Sequence, residues 1–77
     1  MTRPEFTEIL SLMEACWPHR PVRNDTAAVW FGDLADLDVE TVRAAVLAVY
    51  RSGREFMPNG AQVRAEVAAQ TLAAPSF

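Results

Sequence analysis

The stretch from Asp38 to Pro58, D-V-E-T-V-R-A-A-V-L-A-V-Y-R-S-G-R-E-F-M-P, constrains the fold most, because it holds a helical apolar pattern marked at both ends. Asp38 is placed to cap the first turn, Gly53 to take the left-handed position past the last, and Pro58 to stop continuation. Val39, Val42, Val46, Val49 and Tyr50 recur at helical spacing, and Ala44, Leu47 and Ala48 make the opposite side apolar as well. A helix apolar around most of its circumference has to be covered by other elements. The stretch is therefore expected to be the central helix of a small bundle.

The flanking segments supply the cover. Thr2 and Glu5 have the spacing of a capping box, and Pro4 suits a first turn, so a first helix is expected there. Its apolar face is Phe6, Ile9, Leu10, Met13 and Trp17, and Pro18 and Pro21 end it in a stiff, extended connection. A second helix, from about Thr26 to Leu34 with Asn24 or Asp25 as its cap, offers Ala27, Trp30, Phe31 and Leu34 for burial, with Trp30 as a main anchor. Past Gly53, R-E-F-M-P-N reads as an extended loop whose Phe56 and Met57 tuck under the bundle. Asn59 and Gln62 repeat the capping spacing, and an alanine-rich fourth helix is expected from about Gly60, with a thin stripe of Ala61, Val63, Val67 and Leu72, fraying before Pro75.

The predicted fold class is all-α: a compact bundle of four short helices around a central apolar one. No segment alternates over a strand's length with β-branched enrichment. Residues 1–72 are expected to form one domain and residues 73–77 a short mobile tail. Phe6, Leu10, Trp30, Val42, Val46 and Tyr50 are the predicted core anchors.

Size and charge narrow the function classes. A 77-residue chain buries only about 60% of its unfolded surface. With 51% hydrophobic residues, apolar patches are expected to remain outside, where such patches serve partners. The formal charge of -3 gives no general attraction to nucleic acid or to anionic membranes. All seven basic residues are arginines, as a GC-rich coding sequence or a preference for bidentate contacts would each produce. The single cysteine, Cys16, allows no intrachain disulfide, and no signal peptide or apolar run of spanning length is present, so a reducing cytoplasm is expected.

For chemistry the chain offers little. His19 is the only histidine, and its placement beside Cys16 across Trp17 and Pro18 is poor for nucleophilic attack. One Cys and one His do not make a zinc site. Gly32, Gly53 and Gly60 stand too far apart to cradle a phosphate. Asp33, Asp36, Asp38 and Glu40 lack the calcium-loop pattern and read as turn and capping residues. No catalytic residue, metal site or cofactor is expected.

Two arginine groups invite a partner instead: His19, Arg20 and Arg23 in the proline-rich connection, and Arg43, Arg51, Arg54 and Arg64 on or near the last two helices. Each can meet phosphates or acidic side chains of another molecule. Taken singly, the favoured reading of each is a pairing at home, as Arg54 with Glu55 and Arg43 with Glu40, surface ion pairs of small value. Arg51 and Arg54 beside Phe56 form the best interface candidate, because arginine and aromatics are enriched at contact anchors.

The order V-W (Val29, Trp30), then L-x-D-L-D-V-E-T-V-R-A-A-V (Leu34 to Val46), then Y-R-S-G-R-E-F-M-P-N (Tyr50 to Asn59) and a short closing helix resembles the phage loader and inhibitor of the replicative helicase. The likeness covers about residues 5 to 67 and rests mostly on core and turn positions. It implies an all-helical amino-terminal domain of a phage replication protein. Such a protein binds the host DnaB-type hexameric helicase, restrains its ATPase and unwinding, and assists its delivery to an origin-bound phage initiator. The resemblance also implies helicase contact through a segment beyond the bundle, and this sequence departs from it in having only A-A-Q-T-L-A-A-P-S-F there. Leu72 and Phe77 read either as apolar hooks that fold into a groove or as part of a frayed end, and contact through the bundle surface is the alternative route. The partner-binding candidates are thus Arg51, Arg54, Phe56, Arg64, Leu72 and Phe77. Two other readings stand beside this one: a small DNA-binding module using the Arg51, Arg54 and Arg64 side, and an inhibitor of some other host machine. The first needs a basic patch working against an acidic chain.

Overall fold

The computed structural model describes residues 1–19 and 21–73, the last two by backbone alone. Four helices follow one another: α1 (Arg3–Cys16), α2 (Asn24–Leu34), α3 (Val39–Arg51) and α4 (Gly60–Ala73). No strand occurs among the described residues.

Side chains written for capping start three of the four helices. At α1 the Thr2 hydroxyl accepts from the Glu5 amide (3.3 Å) while the Glu5 carboxylate accepts from the Thr2 amide (2.8 Å). At α3 the Asp38 carboxylate accepts from the amides of Glu40 (3.1 Å) and Thr41 (3.2 Å). At α4 the Asn59 and Gln62 side chains exchange bonds with each other's backbone amides at 2.8 and 2.9 Å. Each satisfies amide donors that a helix start leaves unpaired. Past α3, Gly53 sits at φ 85°, a left-handed conformation that turns the chain away.

The start of α2 departs from expectation. Neither Asn24 nor Asp25 caps it; the cap position is Arg23, whose side chain makes no capping hydrogen bond, and the helix begins at Asn24. The Asp25 carboxylate is drawn to the Arg23 guanidinium at 2.9 Å and to the adjacent Thr26 amide. The connection before it is held instead by Glu14, which accepts from the Val22 amide at 3.2 Å.

Helix α3 packs along α1 and α4, while α2 lies on α4 and touches α1 more lightly. The buried core draws on all four helices: Phe6, Ile9, Met13 and Trp17 from α1 and its end, Leu34 from α2, Val42, Ala45 and Val46 from α3, Val63 and Val67 from α4. Phe31 closes one end, edge-on to Phe6 at 5.2 Å and beneath the Arg3 guanidinium at 4.9 Å. The Met1 amino group donates to the carbonyls of Ala35 and Leu37, tying α1 to the α2–α3 turn.

Three assigned core positions lie further out. Tyr50 is 48% exposed, and Ala44 also faces solvent, so α3 is buried on one side rather than around most of its circumference. The physical reason is that α2 seats on α4, leaving the far side of α3 uncovered. Leu10 and Trp30 are half-buried and packed against the core instead of lying within it. Phe56 does not tuck under the bundle at all; it is 73% exposed, and only its neighbours Met57 and Pro58 turn inward.

The α2–α4 contact depends on Gly60. A Cβ there would stand 2.9 Å from the Asp33 Oδ2 and 3.0 and 3.1 Å from the Cα and Cβ of Trp30. Two of those atoms belong to the backbone and stem of α2 and have little room to yield. Gly60→Ala is therefore expected to destabilise by about 1–3 kcal/mol, overriding alanine's better helix propensity. A thermal unfolding midpoint equal to or above that of the parent would contradict this close approach.

Candidate partner-binding groove

The connection after α1 and the loop between α3 and α4 face each other across the outer side of α2. Between them lies an open groove of about 780 Å³, lined by the apolar Trp17, Pro21, Val22, Trp30, Phe56 and Met57 and the polar His19, Arg23, Thr26 and Glu55. Its volume falls within the range of roughly 300–1,000 Å³ usual for binding sites.

The loop wall is held by one arginine. The Trp17 indole N–H, buried at the end of α1, donates to the Arg54 carbonyl at 2.9 Å, and its ring stands edge-on to Tyr50 at 5.8 Å. The Arg54 guanidinium bends back to donate to the Phe56 carbonyl (2.9 Å) and to the Gln62 side-chain oxygen (3.0 Å). That same Gln62 oxygen also accepts from the Asn59 amide in the cap of α4. A loop without regular structure is thus pinned at its start to α1 and at its middle to α4. The phenyl ring of Phe56 is left projecting from a fixed backbone.

The expected Arg54–Glu55 ion pair does not form among the described residues: Arg54 is taken up by the loop. Arg54 and Phe56 are brought together, but as brace and exposed ring rather than as two free contacts. Arg51 is exposed and has no ion pair among the described residues; its charge opposes the burial that pushes the Cys16 thiol up, so Cys16 stays protonated near neutral pH. Arg43 pairs at home with Glu40, as expected, and also reaches Glu8 on α1 at 3.3 Å. The side chain of Leu72, together with Phe77 and Arg20, lies outside the described residues.

Arg64 belongs to a different place. Its guanidinium forks onto both oxygens of Asp36 (2.6 and 2.9 Å) and onto the Asp33 carbonyl (2.9 Å), clamping α4 to the α2–α3 turn. The hydrogen bond from Arg64 holds the Asp36 carboxyl below its ordinary range. A carboxylate whose folded pKa is depressed adds stability above its unfolded pKa and loses it as pH falls through the lower folded value. Asp36→Asn is therefore expected to lower stability at neutral pH and to flatten the acid limb of the stability curve below the usual carboxylate range. Urea titrations of both forms across that range would show parallel acid limbs if the clamp contributes nothing.

No group of three His, Cys, Asp or Glu side chains converges among the described residues, and no helix there is long and apolar enough to cross a membrane. What is assembled is an apolar groove with a braced aromatic, on a bundle of four helices. Those features define a small all-α domain with an apolar groove on its surface. A family model for the amino-terminal domain of the phage gene 39 protein matches residues 1–64, and the chain belongs to that family. The protein that gives the family its name is an inhibitor and loader of the DnaB helicase. No curated protein and no solved structure matches the chain.

The sequence pointed to Arg54 and Phe56 but missed the roles of Trp17, Glu14 and Gln62 in building the groove. Trp17 was legible as core, yet its indole partner lies 37 residues away. Only the Asn59–Gln62 spacing gave a local sign, and it marked a helix cap rather than a support for the loop.

Proposed function

We propose that this protein is a phage replication accessory factor that binds the host's hexameric DnaB-type helicase, restrains its ATP turnover and unwinding, and assists its delivery to an origin-bound initiator. It acts in the host cytoplasm as a stoichiometric binder without chemistry of its own. Membership, over residues 1–64, of the family defined by the amino-terminal domain of the phage helicase inhibitor and loader carries this reading. The groove supports it by offering a large aromatic side chain, Phe56, on a backbone already ordered before binding. The DNA-binding reading has less to use: Arg23, Arg43 and Arg64 are ion-paired and Arg54 is engaged by its own loop.

The test is direct. Mixed with a purified DnaB-type hexamer at micromolar concentration, the protein is expected to co-elute with it on size exclusion and to lower its ATP turnover in proportion to occupancy. Separate elution together with an unchanged ATPase rate would end the proposal.

A further inference from the structure

Asn59 and Gly60, neighbours at the start of α4, serve separate structural needs. Asn59 caps the helix: its side-chain oxygen accepts from the Gln62 amide at 2.8 Å, and its own amide donates to the Gln62 side-chain oxygen at 2.9 Å. Gly60 is buried against α2, where a Cβ would stand 2.9 Å from the Asp33 Oδ2 and 3.0 Å from the Trp30 Cα. Together the two needs set an asparagine directly before a glycine. In that pairing no Cβ shields the backbone nitrogen that can attack the asparagine side chain. The chain's other asparagine, Asn24, precedes Asp25, whose Cβ does shield it.

We propose that Asn59 is a site of spontaneous deamidation, closed while the α4 cap is formed and open when the first turn of α4 frays. In the reaction the Gly60 nitrogen gives its proton to solvent base and bonds to the Asn59 Cγ. The bond from Cγ to Nδ2 breaks, and ammonia leaves after taking a proton back from solvent. Water then opens the resulting succinimide at either carbonyl. One opening leaves aspartate at position 59, and the other leaves isoaspartate, with the main chain running through the former side chain. Attack requires the peptide between Asn59 and Gly60 to turn towards the Asn59 side chain. Two bonds oppose that turn: the Gln62 amide holds the Asn59 Oδ1, and the Val63 amide donates to the Asn59 carbonyl at 3.0 Å. The folded chain therefore reacts through its locally opened form.

The two products have opposite consequences. Aspartate keeps the acceptor oxygens of the cap and adds a negative charge at a helix start, where it is favourable. Isoaspartate lengthens the main chain by a methylene and loses the cap. The Gln62 oxygen that serves the cap also receives the Arg54 guanidinium at 3.0 Å, and Arg54 in turn holds the Phe56 carbonyl. Loss of the cap thus loosens the loop that carries Phe56.

The full chain, incubated at mildly alkaline pH both folded and in guanidinium chloride, tests this by peptide mapping with mass spectrometry. The denatured chain is expected to convert Asn59 while Asn24 stays intact, and the folded chain to convert Asn59 about tenfold more slowly or slower still. Hydrogen exchange at the Gln62 and Val63 amides of the parent should show protection of the same order as that slowing, since both processes wait on one opening. Gln62→Ala, checked for a cooperative thermal transition, is expected to speed conversion of the folded chain by about threefold or more and to leave the denatured rate unchanged. Asn59→Asp should melt within about two degrees of the parent, whereas the purified isoaspartyl form should exchange faster at residues 54–57 and 60–63. An intact Asn59 in the denatured chain, a folded rate equal to or above the denatured one, or a folded Gln62→Ala converting at the parent rate overturns the proposal.

Discussion

Phe56→Ala is expected to fold as stably as the parent chain while losing roughly 30-fold or more in helicase affinity, corresponding to a loss of about 2 kcal/mol or more. The two halves of this prediction have different causes. Stability should stay within about 0.5 kcal/mol because the ring is 73% exposed and leaves no cavity behind. Affinity should fall because a large aromatic side chain on an ordered backbone is the kind of group that dominates binding energy when a partner desolvates it. The backbone order comes from Arg54, whose guanidinium bonds to Phe56 and Gln62 survive truncation of the ring. Thermal unfolding and helicase titration on the same sample separate the two effects. A variant that binds as tightly as the parent would place the contact elsewhere on the bundle.

The largest effect on stability is expected from Leu34→Ala. Leu34 is the only fully buried residue of α2, with the rest of that helix half-exposed or exposed around it. Removing its side chain sacrifices the burial of the lost atoms and leaves a cavity, together about 2–5 kcal/mol. A domain of this size has only about 5 kcal/mol or slightly more in total, so the variant should be largely unfolded or close to its midpoint at room temperature. Helix α2 also contributes Trp30 and Thr26 to the groove lining, so helicase binding should disappear along with the fold. A sharp thermal transition within a few degrees of the parent would show that α2 is held mainly by Gly60 and the Asp36–Arg64 clamp.

These expectations differ from what residue spacing alone supports, and the differences have identifiable causes. Capping is local, so Thr2 with Glu5, Asp38, and Asn59 with Gln62 could be read as helix starts without knowledge of the fold. Asp25 misled because its carboxylate has a competing cation two residues back, and competition of that kind is invisible to a propensity argument. Apolar periodicity identified Phe6, Val42 and Val46 as inward-facing, since each has covering helices on its side. Tyr50 shares their spacing but has only Trp17 beside it, and the far side of α3 is left uncovered. Periodicity reports which residues share a face, and says nothing about how many helices cover it.

The groove was harder to foresee because it is built from contacts that are distant in the chain. From sequence Arg54 reads as an ion-pair partner of Glu55 or as a contact for another molecule, yet the turn after Gly53 brings its guanidinium onto the Phe56 carbonyl and the cap of α4. Phe56 reads from sequence both as tucking under the bundle and as an interface candidate beside Arg51 and Arg54, and its exposure goes with the short tether between the left-handed turn at Gly53 and the buried Pro58. Arg64 looked like part of the same cationic side, but one further turn along α4 carries it to the acidic α2–α3 turn.

The claim that this bundle meets its helicase through the braced loop and the facing connection is tested most directly by amide hydrogen exchange on the intact protein, with and without a saturating DnaB-type hexamer. Slowed exchange is expected over residues 17–23 and 54–57, with the exposed outer side of α4 unchanged. Protection confined to α4 or to the free side of α3, with the loop exchanging as fast as in the unbound protein, would contradict it.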